Sequence, residues 1–103
     1  MRIEVVAEGS ISQQARTYAE YRVFAALTQF SEADKVRHVR VVLRPVKLGS
    51  GCKGIGCRVT VALEGANTLR IRTTGTRAYA AIDRAVERIG TNAASGIVER
   101  VSV

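Results

Sequence analysis

Apolar and polar residues alternate along three consecutive segments in the centre of the chain, the pattern of β-strands with one buried face. The alternation predicts strands over Val36–Pro45, Ile55–Glu64 and Asn67–Thr74. The odd-numbered positions form an apolar face: Val39, Val41, Leu43, Ile55, Cys57, Val59, Val61, Leu63, Leu69 and Ile71. The even-numbered positions form a basic face: His38, Arg40, Arg44, Arg58, Arg70 and Arg72. The centre of the chain is therefore predicted to be a sheet with two chemically different faces.

The flanking segments predict one more strand and two helices. Met1–Glu8 alternates with period two, which indicates a half-buried strand. Three- and four-residue spacing predicts a helix from about Ser12 to Gln29, with Arg16, Glu20 and Arg22 facing water and this apolar stripe: Ala15, Ala19, Val23, Ala26, Leu27 and Phe30. A second helix follows Thr76, is expected to weaken or end early at Gly90, and has this stripe: Ala78, Ile82, Ala85, Val86, Ile89 and Ala93.

The order of elements predicts an α+β fold, β-α-β-β-β-α, with two helices packed on one face of a four-stranded sheet. One apolar stripe per helix and one apolar sheet face favour this two-layer solution, which leaves the other sheet face open. We assign residues 1–95 to this single domain and residues 96–103 to a C-terminal tail that could add an extra strand.

The positive charge of the chain is concentrated on the predicted sheet. Residues 37–72 hold eight basic residues and one acid, Glu64, so this segment has a net charge of +7. That value equals the formal net charge of all 103 residues. Such a surface favours a polyanionic partner, and arginine suits bidentate phosphate contact. The candidate contacts on this face are Arg40, Arg44, Arg58, Arg70 and Arg72. Because the aromatic residues all fall in the helices, the sheet is expected to contact phosphates and not to stack bases.

Enzymatic, metal and cofactor chemistry finds little support in the sequence. The single histidine, His38, has no nearby acid to act with it, so no catalytic pair can be assembled. Cys52 and Cys57 form one widely spaced pair, which is too few ligands for a structural zinc site, and Cys57 is predicted to be a buried thiol. We expect no enzyme activity and no cofactor. The chain also shows no leader pattern or membrane-length apolar run, which predicts a cytoplasmic protein.

Residues 76–89, TRAYAAIDRAVERI, resemble the second helix of the ribosome hibernation promoting factor family, also called ribosome-associated inhibitors or sigma-54 modulation proteins. The run Tyr79-Ala80-Ala81-Ile82-Asp83 matches the family motif, and the first helix is similar through Ile11-Ser12 and this spacing: Arg16, Tyr18, Glu20 and Arg22. The resemblance implies a short-form member that binds ribosomal RNA on the small ribosomal subunit and idles ribosomes in stationary phase. It also implies RNA contact through the helices, at Arg16, Arg22 and Arg88, with Arg84 on the same helix.

Two questions stay open at this point. The chain differs from the family pattern by a neutral segment after Arg88, and its charge lies on the sheet, so helices and sheet are competing RNA surfaces. The alternative function is a divergent family member that acts as a protein-interaction or oligomeric module without ribosome binding. In that case a homodimer would form through the open sheet face or the valine-containing tail.

Overall fold

A mixed β-sheet and two helices form the molecule in the computed structural model, which describes residues 1–29, 33–65, 67–95 and 99–100. The elements in chain order are β1 (Arg2–Ala7), α1 (Gln13–Thr28), a short 3-10 helix (Ala33–Lys35), β2 (Val36–Lys47), β3 (Lys53–Leu63), β4 (Asn67–Gly75), α2 (Ala78–Ser95) and β5 (Glu99–Arg100). The predicted α+β class and its β-α-β-β-β-α order are confirmed.

The strands lie in the spatial order β1-β2-β3-β4-β5. β1 pairs parallel to β2 through the α1 crossover, whereas the β2–β3 and β3–β4 pairs are antiparallel hairpins. β5 pairs antiparallel with the first two residues of β4, Asn67 and Thr68. Beyond these two residues, no described strand pairs with the side of β4 that faces away from β3. This part of β4 therefore forms an edge of the described sheet.

The core lies between the helices and the odd-numbered face of the sheet. Val39, Val41 and Val59 are fully buried there, against the α1 and α2 residues Val23 and Ile82. Parity therefore predicted the buried face correctly. Thr73 also faces the core, where its hydroxyl donates a hydrogen bond of 2.7 Å to the carbonyl of Ala81 and ties β4 to α2.

The first helix keeps its predicted bounds, whereas the second helix extends past its predicted weak point. Ser12 caps α1 by accepting a hydrogen bond from the Ala15 backbone N–H at 3.1 Å. α2 does not end at Gly90, because Gly90 faces open space on the solvent side while Ile89 beside it is fully buried and holds the helix to the core. The glycine cost of about 1 kcal/mol is smaller than that packing gain. Phe30 of the predicted first-helix stripe and Ala66, between the second and third predicted strands of the central sheet, lie outside the described residues.

The hairpin between β2 and β3 is tighter than the sequence indicated. The strands extend to Lys47 and Lys53, which pair with each other and leave only residues 48–52 as the loop. The Leu48 N–H donates to the Cys52 carbonyl at 2.9 Å and closes this loop. Gly51 adopts a φ of 84°, a left-handed conformation that glycine adopts without strain.

Candidate nucleic-acid interface

Two arginines of α2 are fastened to the edge of β4. The Nη1 atom of Arg84 donates to the Thr74 carbonyl at 2.7 Å, and that of Arg88 donates to the Arg72 carbonyl at 3.1 Å. Arg84 and Arg88 are four residues apart on the helix, a rise of about 6 Å, and their acceptors are two residues apart on the strand, about 6.6 Å. The two spacings therefore match. The bonds orient both guanidinium groups and leave their remaining N–H donors exposed to solvent.

Three exposed arginines of the sheet lie next to this edge on the open face. Arg58 and Arg72 are direct cross-strand partners, and Arg70 comes two residues before Arg72 on the same side of β4. We call Arg58, Arg70, Arg72, Arg84 and Arg88 the edge arginines. Within the described residues no carboxylate lies at ion-pair distance from any of them. Like charges placed directly opposite one another destabilise a sheet, and a bound anion would offset that cost.

The edge arginines form one continuous surface that turns from the sheet to the helix. A groove of about 550 Å³ runs between β4 and α2 and is lined by Arg72, Arg84, Arg88 and Thr91, with Glu87 at its outer wall. A second groove crosses the open sheet face, is lined on its basic side by Arg44, Lys47 and Arg58, and shares Arg72 and its two following residues with the first. An extended anion can therefore pass from one groove into the other without leaving arginine contacts.

The other two arginines predicted on the sheet face are ion-paired. Arg40 lies 3.7 Å from Glu4, and Arg44 lies 3.5 Å from Glu8. The parallel register aligns Glu4 with Arg40 and so brings the acid of β1 beside the base of β2. These exposed pairs contribute little stability, but each carboxylate offsets the local positive charge. The basic face is also interrupted by Val42, which is only 6% exposed.

The arginines expected on the helices do not share one surface. Arg22 faces water only in part: its side chain is 41% exposed, lies 3.7 Å from Asp83 of α2 and covers the ring of Tyr18. Arg16 lies one turn before Glu20, and Glu20 lines a groove against β1 on the far flank of α1. Arg88 is at the β4 edge. The structure thus brings Arg84 and Arg88 together with the sheet arginines and separates them from Arg16 and Arg22.

A polar and aromatic cluster joins the two helices. The Tyr18 hydroxyl donates to the carboxylate of Asp83 at 2.5 Å, and the Tyr18 and Tyr79 rings meet edge to face at 4.9 Å. The hydrogen bond to Asp83, together with burial, raises the pKa of Tyr18. Tyr79 and Asp83, the first and last residues of the family-like run, therefore both contact α1.

The cysteines and the histidine form no reactive centre among the described residues. Cys57 is buried, as predicted, and desolvation raises the pKa of its thiol to about 12, whereas Cys52 is exposed in the hairpin loop. His38 is half-buried and lies in register between Arg2 and Ala62. No group of three or more potential metal ligands occurs in the described part of the chain. Of the described helices, none has the length and apolar character needed to span a membrane.

A two-layer α+β fold with an unpaired arginine surface defines the class of protein. The family model described as sigma 54 modulation protein / S30EA ribosomal protein matches residues 3–92, so the chain belongs to that family. The N-terminal domain of Protein Y from Thermus thermophilus superimposes with a TM-score of 0.69 at 26% identity, covering 94% of this chain and all of that one (100%). A ribosomal subunit interface protein from Coxiella burnetii shares the fold, with a TM-score of 0.71 at 17% identity over 93% of this chain and 97% of that chain. No curated protein sequence gives a significant match.

Proposed function

We propose that this protein associates with the small ribosomal subunit, binds the phosphates of ribosomal RNA through the edge arginines, and holds ribosomes idle. The family assignment and the likeness to a subunit interface protein support ribosome association. The observation that carries the proposed site is the row of five exposed arginines without a carboxylate partner among the described residues. The role is that of a cytoplasmic binding protein and not of an enzyme.

The geometry of the edge favours phosphate over other anions. Each arginine presents a planar fork of N–H donors, which matches two oxygens of a phosphate group. Arg84 and Arg88 are already oriented by β4 carbonyls, so binding costs them less side-chain entropy than it costs a free arginine. Contacts of this kind fix position along an RNA backbone without reading its sequence.

The proposed surface combines parts of both candidate surfaces from the sequence. It takes Arg58, Arg70 and Arg72 from the sheet and Arg84 and Arg88 from the second helix. The open sheet face is a poor homodimer interface in this account, because two copies would bring their unpaired arginines together. The alternative function as an interaction module therefore becomes an outcome of the experiment below.

The test compares two double variants that remove the same charge from the same sheet face. Arg58→Gln with Arg72→Gln removes two edge arginines, whereas Arg2→Gln with Arg40→Gln removes two arginines on the β1 side of the face that line neither groove. Each is titrated against purified small subunits over a salt series. Each lost phosphate contact lowers the slope of log affinity against log salt by roughly 0.7 to 0.9.

We expect the edge variant to lose about 1.4 to 1.8 units of slope, from two such contacts. The control variant should keep a slope close to that of the unaltered chain. Equal losses in the two variants would show that only net charge matters and would refute the edge site. If the unaltered chain does not bind small subunits, ribosome association is refuted and the interaction module is favoured.

A further inference from the structure

Three tyrosines line an exposed groove at the N-terminal ends of the two helices. The groove has a volume of about 500 Å³ and is lined by Gln13, Gln14, Thr17, Tyr18, Tyr21 and Tyr79. It is distinct from the β4 edge, since it contains none of the edge arginines. Tyr21 and Tyr79 are 69% and 40% exposed, although large aromatic side chains usually bury most of their area.

The rings are held in place by contacts below the groove. The hydroxyl of Tyr18 is engaged by Asp83, and the Tyr18 ring packs edge to face against Tyr79. These contacts fix two of the three rings before any ligand arrives, which lowers the entropy cost of binding. Tyr21 lies one turn after Thr17 and two turns after Gln14, so an exposed ring stands on the same side of α1 as hydroxyl and amide groups.

The side chains that line the groove indicate which kind of ligand fits it. Aromatic rings offer stacking surfaces, while the amides of Gln13 and Gln14 offer both hydrogen-bond donors and acceptors for a polar edge. No acidic residue lines the groove, and the guanidinium of Arg22 lies 5.9 Å above the Tyr18 ring. Because the proposed partner is RNA and Arg22 brings a positive charge beside these rings, a planar group attached to a phosphate chain complements this groove better than an apolar peptide or a second copy of the chain.

We propose that this groove binds an unpaired nucleobase of single-stranded RNA by stacking against Tyr21 and Tyr79. The inference rests on the proposed function and adds a preference for single-stranded over duplex RNA, because only an unstacked base can enter the groove. Aromatic stacking tolerates every base, so the preference concerns RNA structure and not sequence. The edge arginines then supply the phosphate contacts on another surface of the same RNA or of a neighbouring segment.

The experiment measures the affinity of the full chain for a 12-nucleotide single strand and for a duplex of the same length. We expect Tyr21→Leu to weaken single-strand binding by about 5- to 150-fold, the range of one lost aromatic–base stack, with no change for the duplex. Tyr21→Phe should retain the affinity. Phe24→Leu is the matched control, since Phe24 is 49% exposed on α1 and lines only the neighbouring groove towards β1, which Tyr21 also lines. An effect of Tyr21→Leu that Phe24→Leu does not share therefore belongs to the tyrosine groove. The salt slope should stay unchanged, because no charge is removed.

Tyrosine fluorescence gives a second readout, because the chain contains three tyrosines and no tryptophan. Stacking of a base in the groove should quench this signal in the unaltered chain and quench it less in Tyr21→Leu. Equal affinities of Tyr21→Leu and the unaltered chain for the single strand would overturn the inference, as would equal losses on single strand and duplex. A fall in molar mass with Tyr21→Leu would assign the groove to a second copy of the chain and also overturn it.

The two proposals fail in different ways. If the Arg58 and Arg72 substitutions lower the salt slope on small subunits but Tyr21→Leu leaves single-strand affinity unchanged, the stacking groove alone is refuted. Single-strand binding that depends on Tyr21, together with a salt slope on small subunits that the Arg58 and Arg72 substitutions leave unchanged, refutes the edge site alone. An unaltered chain that binds neither small subunits nor the oligonucleotides refutes both.

Discussion

Removal of the Tyr18 hydroxyl is the sharpest test of how the two helices are held together. Tyr18→Phe deletes one hydrogen bond, of 2.5 Å, to the carboxylate of Asp83 and leaves the ring in its packed position against Tyr79. Hydrogen bonds to charged groups contribute about 1.5–3 kcal/mol. The side chain of Asp83 is 50% exposed, so water can replace the lost donor and the cost falls at the lower end of that range.

We therefore expect Tyr18→Phe to lower the free energy of unfolding by about 1.5 kcal/mol, equivalent to a Tm decrease of about 6 °C or more for a domain of this size. Arg22→Gln should cost less, about 0.5 kcal/mol, because its 3.7 Å contact with Asp83 is a solvent-exposed ion pair. Urea denaturation followed by circular dichroism measures both values.

A double-mutant cycle isolates the bond from other effects of the substitutions. Tyr18→Phe and Asp83→Asn should show a coupling energy of about 1 kcal/mol, since the two groups contact each other directly. Additive effects, or a Tyr18→Phe variant within 0.3 kcal/mol of the unaltered chain, roughly the scatter of additivity for independent sites, would refute this account of the helix contact.

Three further predictions concern the sheet and its thiol. Val59→Asp places a carboxylate at a fully buried position and should unfold the domain, whereas Arg58→Asp should leave the circular dichroism spectrum native. Gly75→Ala should lower the Tm, because a Cβ there would lie 2.8 Å from the Ala81 nitrogen, while Gly49→Ala in open space should not. Because the folded chain keeps the Cys57 proton up to about pH 12, the free energy of unfolding should fall as pH rises above about 8.5. A Cys57→Ala variant should show a shallower fall in urea titrations.

The sheet was readable from the sequence because period-two alternation assigns each residue to a face without knowledge of its neighbours. That rule placed Val59 in the core and Arg58 on the open face, as the structure shows. The two-layer arrangement followed from one apolar stripe on each helix and one apolar face on the sheet. The extension of α2 past Gly90 was not readable, because the packing of Ile89 decided it and glycine propensity alone indicates a weak point.

The candidate site depends on pairings that alternation does not encode. Glu4 and Arg40 are 36 positions apart, and only the parallel register of β1 on β2 brings them together. In the same way, the bonds of Arg84 and Arg88 to β4 carbonyls require the position of α2 over the sheet edge. The sequence therefore identified an arginine-rich face correctly but could not separate its paired from its unpaired members.

Exposure of aromatic side chains was also beyond the sequence pattern. Tyr21 falls off the apolar stripe of α1, but a tyrosine at such a position is equally compatible with packing against a neighbouring element. Its 69% exposure and its place beside Tyr79 emerge only from the packing of α1 on α2.

Arginine footprinting of the complex with small ribosomal subunits tests the central claim most directly. Phenylglyoxal modifies accessible guanidinium groups, and mass spectrometry of peptides reports each arginine separately in the free and bound protein. The account predicts that binding protects the edge arginines while Arg2 and Arg40 keep their free reactivity. Protection confined to Arg16 and Arg22, or no protection in a saturated complex, would contradict it.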